Sequence, residues 1–158
     1  MAEPDDIDRK LLALLQEDGR RPYAELAKAV GLAVSSVNER VRRMHERGVI
    51  TGVHAHVAPG AVGLELLAYI FVGWSETEVE KDFRALVAQE SSVLECHHVT
   101  GAWNYLLKVR VRNTRALEAF LTQLKLVVPG IQRTESLIVL SSPKETSRLP
   151  TQPAKWEP

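Results

Sequence analysis

Apolar residues in the first sixty positions recur at the spacing of amphipathic helices. The first segment repeats them at i, i+4, i+7 and i+8, which predicts one buried stripe: Ile7, Leu11, Leu14 and Leu15. Asp5 or Asp6 supplies a side-chain oxygen that can cap the N-terminus of this helix. Gly19 is a typical helix stop, so we expect the first helix to end there.

Two further helices are predicted at short intervals. Pro22 suits the first turn of the second helix, and Gly31 suits its end, with these residues on the apolar side between them: Leu26, Ala27 and Val30. The third helix is predicted from about Val34 to Arg47. Short helices joined by a glycine-containing turn are typical of the helix-turn-helix plan. The loosely alternating segment 49–57, VITGVHAHV, then predicts a short strand or wing.

The third helix has an apolar side and a hydrogen-bonding side. At about 100° per residue, Val37, Val41 and Met44 cluster on one side and predict the core contact. The other side carries short polar groups first and guanidinium groups one turn later: Ser35, Ser36, Asn38, Glu39, Arg42 and Arg43. Such a face suits base edges in a DNA major groove, with cations that reach phosphate. The alternative is a solvated face of a helical hairpin. Arg40, near the core edge, either buttresses the helix or touches phosphate.

The second half alternates between strand and helix patterns. The order is strand, helix, strand, strand, helix, strand, over these segments: 64–74, 78–90, 93–99, 103–111, a helix capped by Thr114 and ended at Pro129-Gly130, and 131–140. This order predicts a ferredoxin-like βαββαβ unit with four antiparallel strands and two helices on one face. One sheet face would remain uncovered, so we expect at least a homodimer.

The predicted organisation is α+β, a winged helix-turn-helix domain followed by the ferredoxin-like domain. We expect the DNA-binding domain at 1–57, a hinge at 58–63 in the small-residue segment APGAVG, and the effector-binding and oligomerisation domain at 64–142. The Pro-rich residues 143–158 are predicted to be a loose tail or an arm lying on a neighbour, with Trp156 hinting at docking.

Local charge adds to the interpretation of the N-terminal half. The 158 residues have a formal net charge of +0, so total charge does not indicate a nucleic-acid partner. Residues 19–51, however, carry seven basic and three acidic residues, which favours a positive face for phosphate contacts. A single cysteine, Cys96, excludes an internal disulfide framework. Without an apolar leader or a membrane-length apolar run, we expect a soluble cytoplasmic protein and no membrane partner.

The N-terminal segments resemble a known family. DDIDRKLLALLQEDGR, ELAKAVGL and SSVNERVRRMHERGVITG are similar to the feast/famine regulators, the leucine-responsive and asparagine-responsive (Lrp/AsnC) transcription regulators. The resemblance implies double-stranded DNA as a partner and no cofactor. The family usually has Ser where this chain has Pro22 and Ala33. Since Ala33 has no side-chain acceptor, we predict that the third helix frays at its start or is capped later, by Ser35.

The second half carries an independent part of the same resemblance. VTGAWNYLLKVRV and PGIQRTESLIVL are similar to the effector-binding domain of these regulators. The resemblance implies a homodimer that assembles into a tetramer or octamer, and a small-molecule effector such as an amino acid. It places the effector loop at Thr100, Gly101, Ala102, Trp103 and Asn104. The family commonly has an acidic residue in place of Asn104. The alternative is that Gly101 and Asn104 only form a tight turn between strands.

Two other functions fit the same architecture. Proteins resembling sirohaem decarboxylases use histidines, and the candidates here are His54, His56, His97 and His98, with Cys96. Their spacing matches no zinc motif, and no catalytic constellation can be identified, so we expect no enzyme, no catalytic residues and no metal site. The other alternative is an assembly partner without DNA binding of its own.

Overall fold

The computed structural model describes residues 3–151 and divides them into two compact units. Residues 3–56 and 145–151 form the N-terminal unit, and residues 57–144 form the C-terminal unit. No helix within the described range is long and apolar enough to cross a membrane.

Three helices form most of the N-terminal unit: α1 (Asp6–Glu17), α2 (Tyr23–Val30) and α3 (Val34–Glu46). Asp5 caps α1 as expected, its carboxylate accepting from the backbone N–H of Asp8 at 2.8 Å. Gly31 ends α2 in the left-handed conformation at φ 71°, which glycine adopts without a Cβ clash. The buried stripes of the helices meet in one core cluster: Leu11, Leu26, Ala27, Val37, Val41 and Met44.

The predicted wing is wrong. Residues 51–58 have no regular secondary structure and are exposed. The predicted hinge, 58–63, contains one turn of 3-10 helix, Pro59–Val62. Alternation in 49–57 indicated strand propensity, but a strand also needs a neighbour to complete its ladder, and the structure pairs this segment with none of the described residues.

The C-terminal unit follows the predicted βαββαβ order. Its elements are β1 (Leu66–Gly73), α4 (Val79–Gln89), β2 (Val93–His98), β3 (Tyr105–Val111), α5 (Thr114–Val127) and β4 (Arg133–Ile138). The sheet order is β2-β3-β1-β4 with every pair antiparallel, which confirms the ferredoxin-like arrangement. The cap of α5 is Asn113 rather than Thr114, because its side chain accepts from the N–H of Ala116 at 3.0 Å.

The two faces of this sheet differ in burial. Alternate residues of β1, Ala68, Ile70 and Val72, are fully buried against Phe83 of α4 and other apolar residues of α4 and α5. The opposite, outer sheet face carries Tyr69, Phe71, Leu106 and Leu137, which are paired across the strands. Leu137 remains 49% exposed. Both helices therefore cover one face, and the outer sheet face keeps accessible apolar surface.

The C-terminal segment 145–151 packs with the N-terminal unit. The Gln16 side chain of α1 donates to the carbonyl of Leu149 at 3.0 Å and accepts from its N–H at 2.7 Å. The segment predicted as a loose tail or an arm on a neighbour is thus, in its described part, a contact of α1 in its own chain. Trp156 lies outside the described residues.

Candidate nucleic-acid interface and effector loop

Helix α3 is anchored by one side and exposed on the other. Val37, Val41 and Met44 are at most 2% exposed and pack in the N-terminal core. The polar groups that the helical projection places opposite are exposed or, for Glu39, half-buried: Ser35, Ser36, Asn38, Glu39, Arg42 and Arg43. The buried stripe therefore fixes which residues α3 presents outward.

The N-terminus of α3 starts earlier than a Ser35 cap would allow. Ala33 is the N-cap, in the extended conformation, and its carbonyl accepts from the N–H of Val37 at 3.1 Å. No side-chain hydrogen bond caps α3. Ser35 lies inside the first turn, so the prediction that it caps the helix is wrong. Val37, in the same turn, is buried in the N-terminal core, and fraying of the uncapped start stays a prediction.

The change Ala33→Ser is expected to increase the free energy of unfolding of the N-terminal unit by about 1 kcal/mol. The backbone of Ala33 already has N-cap geometry, φ −67° and ψ 148°, so a serine hydroxyl can accept a first-turn N–H without rearrangement. Denaturant unfolding followed by far-UV circular dichroism measures the change. Ala29→Ser, at an exposed site inside α2, is the control and should destabilise slightly. No gain at Ala33 would contradict the uncapped start.

Glu39 connects the two arginines of the exposed face. Its Oε1 accepts from the Arg42 terminal nitrogen at 2.8 Å and from Arg43 Nε at 2.7 Å, while its Oε2 accepts from Arg42 Nε at 2.9 Å. Arg42 also pairs with Glu46. The i,i+3 and i,i+4 spacings of these residues are those at which helical side chains meet. The positive field predicted from local charge is therefore partly neutralised within α3 itself.

The hydrogen bonds that Glu39 accepts lower its pKa to about 2; the bond from Arg42 contributes most and the bond from Arg43 next. Since an unperturbed glutamate has a pKa near 4.5, the ionised form is favoured in the folded state. Its stabilising effect is complete above that unfolded-state value and is lost as the pH falls towards 2. Glu39 is hence a full negative charge at neutral pH.

Arg40 is a structural contact between helices. Its terminal nitrogen Nη1 donates to Asp5 and to Asp8, both at 2.8 Å, and links the start of α1 to the middle of α3. The pKa of Arg40 is raised by these two partners. The pKa of Asp5 is lowered most by the hydrogen bond from the Asp8 backbone N–H, and further by the hydrogen bond from Arg40. Of the two roles expected for Arg40, buttressing the helix is the one that this geometry supports.

The predicted effector loop connects β2 to β3. Gly101 has φ +104°, a backbone conformation that L side chains rarely adopt. Asn104 anchors the loop at three points: its N–H donates to Val72, its carbonyl accepts from Val99, and its Oδ1 accepts from the Trp74 N–H at 2.8 Å. Its side chain therefore supports the turn alternative. Thr100, Gly101 and Ala102 are exposed and leave the loop surface open to a ligand.

Trp103 lies against two groups that the sequence did not single out. Its ring contacts Phe71 at a centroid separation of 5.7 Å, and the Arg133 guanidinium carbon lies 4.5 Å from its centroid. Arg133 also donates to the carbonyl of Ala102. The register that pairs Gly73 with Arg133 brings these groups together. The sequence did not reveal these contacts of Trp103, because the register between β1 and β4 could not be predicted from it.

An aromatic cluster supports the loop from the core side. Tyr105 stacks on Trp74 and on His98, at centroid separations of 5.6 and 4.9 Å. Its hydroxyl donates to Glu80 at 2.7 Å. Burial, with the Glu80 hydrogen bond, raises the pKa of Tyr105 to about 12, so its phenol stays protonated. The cluster fixes the start of β3, where the loop returns to the sheet.

The histidines considered for an enzyme lie in two separate segments, residues 51–58 and β2. His54 and His56 lie in the irregular segment, while His97 pairs with Glu95 at 3.2 Å on β2. Burial raises the pKa of Cys96, which favours an inert thiol. Within residues 3–151, no group of three or more His, Cys, Asp and Glu side chains is arranged to hold a metal ion.

Both units match domains of one family, in the expected order. Residues 5–45 match the AsnC-type helix-turn-helix domain. Residues 67–149 match the Lrp/AsnC ligand binding domain. The chain belongs to the Lrp/AsnC family of transcriptional regulators.

Individual relatives agree with this assignment. The Lrp/AsnC chain is 36% identical over 146 residues to HTH-type transcriptional regulator FL11 of Pyrococcus abyssi, covering 92% of this chain and 95% of the relative. It is 36% identical over 147 residues to the leucine-responsive regulatory protein of Salmonella typhimurium, covering 92% and 90%. These relatives are regulators and not enzymes, so the transcriptional interpretation is confirmed and the decarboxylase alternative is set aside.

Solved structures share the fold of this Lrp/AsnC protein. The transcriptional regulator NMB0573 from Neisseria meningitidis, in complex with L-Met, has a TM-score of 0.87 and 33% identity, covering 92% of this chain and 96% of the other. The feast or famine regulatory protein Rv3291c from M. tuberculosis, complexed with L-methionine, has a TM-score of 0.85 and 37% identity, covering 93% and 99%.

Proposed function

We propose that this Lrp/AsnC regulator acts in the cytoplasm and reads duplex DNA with the exposed face of α3. The supporting observation is that α3 has two different sides. One side is buried in the core, and the other presents short polar groups followed by arginines. The short groups are suited to base edges and the arginines to guanine or phosphate. The DNA-facing residues proposed are Ser35, Ser36, Asn38, Glu39, Arg42 and Arg43.

A mobility-shift assay tests DNA reading directly. The probes are a duplex from the region upstream of the protein's own gene and a scrambled duplex of equal composition, each titrated over a range of salt concentrations. The proposal predicts preference for the natural duplex, and a log–log salt slope that gains about 0.9 for each phosphate neutralised. Equal, salt-insensitive affinity for both would contradict it and favour an assembly partner without DNA binding.

We further propose that the loop 100–104 binds a small-molecule effector such as an amino acid. The support is the exposed backbone of Thr100–Ala102, the open left-handed Gly101, and an aromatic wall at Trp103. Two structurally similar regulators were solved with L-methionine. Backbone N–H groups suit the carboxylate of such a ligand. Asn104 contributes through loop geometry, since its Oδ1 already accepts from Trp74.

Saturation with L-methionine is expected to change the tryptophan emission through Trp103. Binding is established first by calorimetry, with leucine, asparagine and other amino acids tested in parallel. Trp103→Phe should remove the emission change, which separates Trp103 from Trp74 and Trp156. An unchanged spectrum at proven saturation would remove Trp103 from the effector site.

We propose that the protein is a homodimer through its outer sheet face and that dimers assemble into a tetramer or octamer. The apolar residues Tyr69, Phe71, Leu106 and Leu137 support this, because accessible apolar area of this kind favours association. A C2 dimer would present two α3 helices to half-sites about one duplex turn apart. Mass measurement with and without the amino-acid panel tests assembly and effector coupling; a strictly monomeric protein would contradict the proposal.

A further inference from the structure

We propose that Glu39 determines the sequence specificity of α3 by positioning Arg43 to read a base and by holding Arg42 back from indiscriminate phosphate contacts. This inference rests on the proposed DNA reading by α3. It assigns Glu39 the role of a positioning residue rather than a direct base contact.

Arg43 is held at one nitrogen only. Its Nε donates to Glu39 Oε1 at 2.7 Å. Within the described part of the chain, its two terminal nitrogens have no hydrogen-bond or ion-pair partner, and its side chain is 65% exposed. A guanidinium fixed at Nε presents its terminal N–H groups as a planar fork. That fork matches the O6 and N7 acceptors of guanine in the major groove.

Arg42 is held along its whole guanidinium group. Its Nε and one terminal nitrogen donate to Glu39 at 2.9 and 2.8 Å, and the other terminal nitrogen pairs with Glu46. Two carboxylates therefore neutralise one cation. Exposed pairs of this kind are individually weak, so phosphate can still compete for Arg42. The competition lowers affinity for arbitrary DNA and flattens its dependence on salt.

Both carboxylate oxygens of Glu39 are already acceptors in this arrangement. Three N–H groups from two arginines converge on them. A base amino group would have to displace one of these donors. Arg43 instead approaches a base without breaking any contact of Glu39, which is why the geometry favours Arg43 as the reader and Glu39 as its support.

Glu46 supplies a matched control one turn along the same face. Glu39→Ala and Glu46→Ala each remove one carboxylate, from side chains that are 40% and 56% exposed, yet Glu46 contacts Arg42 and Glu39 contacts both arginines. The probes are a duplex selected from a random pool by the wild-type protein, single-guanine replacements of that duplex, and a scrambled duplex. Circular dichroism and mass measurement verify that each variant folds and assembles as the wild type does.

Glu39→Ala is expected to raise affinity for the scrambled duplex and to steepen the dependence of that affinity on salt, by up to about 0.9 in log–log slope per arginine released. It should also reduce discrimination at one guanine per half-site about tenfold. Glu46→Ala should raise affinity for the scrambled duplex and leave guanine discrimination unchanged. Glu39→Gln, which keeps one acceptor for Arg43 Nε, should restore part of the discrimination; it also carries the test if the alanine variant does not fold.

Wild-type discrimination in both Glu39 variants would overturn the positioning role while leaving DNA reading by α3 intact. Equal loss in the Glu39 and Glu46 variants would also overturn it, because bulk charge would then explain the effect. Failure of the wild-type protein to select any sequence would overturn the proposed function itself. The three results are distinguishable from one another.

Discussion

Replacing Asp8 with alanine is expected to lower the free energy of unfolding of the N-terminal unit by about 2 kcal/mol. The Asp8 side chain is only 12% exposed and accepts from Arg40 at 2.8 Å. After its loss, Arg40 keeps its ion pair with the more exposed Asp5, and a direct link between α1 and α3 is removed. This loss is smaller than the roughly 3–5 kcal/mol of a broken, fully buried pair, because the Arg40 side chain is 31% exposed.

Two measurements determine the size of this loss of stability and its position in the structure. Denaturant unfolding followed by far-UV circular dichroism gives the free energy, and hydrogen exchange of peptides from α1 and α3 shows where protection is lost. Asp6→Ala is the control, since Asp6 is a neighbouring but exposed first-turn carboxylate of the same helix. Equal stability of the Asp8 and Asp6 variants would show that the link to Arg40 does not hold the helices together.

Arg43→Ala is expected to reduce affinity for a selected operator by about 1–3 kcal/mol per contact, or at least about fivefold, and to relax base preference at the contacted position. Arg43 is exposed and keeps two terminal nitrogens for DNA. Truncation removes no buried contact, so thermal unfolding should be unchanged. Affinity measured on the operator and on its single-base variants gives both quantities.

Arg42→Ala is the informative comparison. Arg42 is engaged by Glu39 and Glu46, so its removal should weaken binding most at low salt and leave base preference unchanged. If Arg42→Ala lost as much base preference as Arg43→Ala, Arg42 would also read a base and the two arginines would not have separate roles. Unchanged affinity in both variants would remove this part of α3 from the DNA contact.

Much of the fold follows from local pattern, because period and cap residues act within a few positions. The stripe of Val37, Val41 and Met44 predicts the buried side of α3, and the strand–helix order predicts the ferredoxin-like sheet. The error at Thr114 arose from choosing between two adjacent capping residues, and the error at Ser35 arose from requiring a side-chain acceptor at the start of α3. Helix α3 starts after Ala33, which has no side-chain acceptor, and α5 starts after Asn113, whose side chain accepts from Ala116.

Contacts distant in sequence were not predictable from pattern. Alternation in 49–57 specifies faces and not a partner strand, so the wing was over-predicted. The Gln16–Leu149 hydrogen bonds join residues 133 positions apart, and Arg133 reaches Trp103 through strand register. The pairs of Glu39 are a different case. Their i+3 and i+4 spacing was visible in the sequence and would have indicated a partly neutralised face.

Methylation interference on a selected duplex tests most directly whether α3 reads the major groove. Dimethyl sulfate modifies guanine N7 in the major groove and adenine N3 in the minor groove, and these positions report the two grooves separately. We predict interference at guanine N7 in two patches about one duplex turn apart, with one guanine per patch becoming insensitive in Arg43→Ala. Interference confined to adenine N3, or an identical pattern for wild type and Arg43→Ala, would contradict the account.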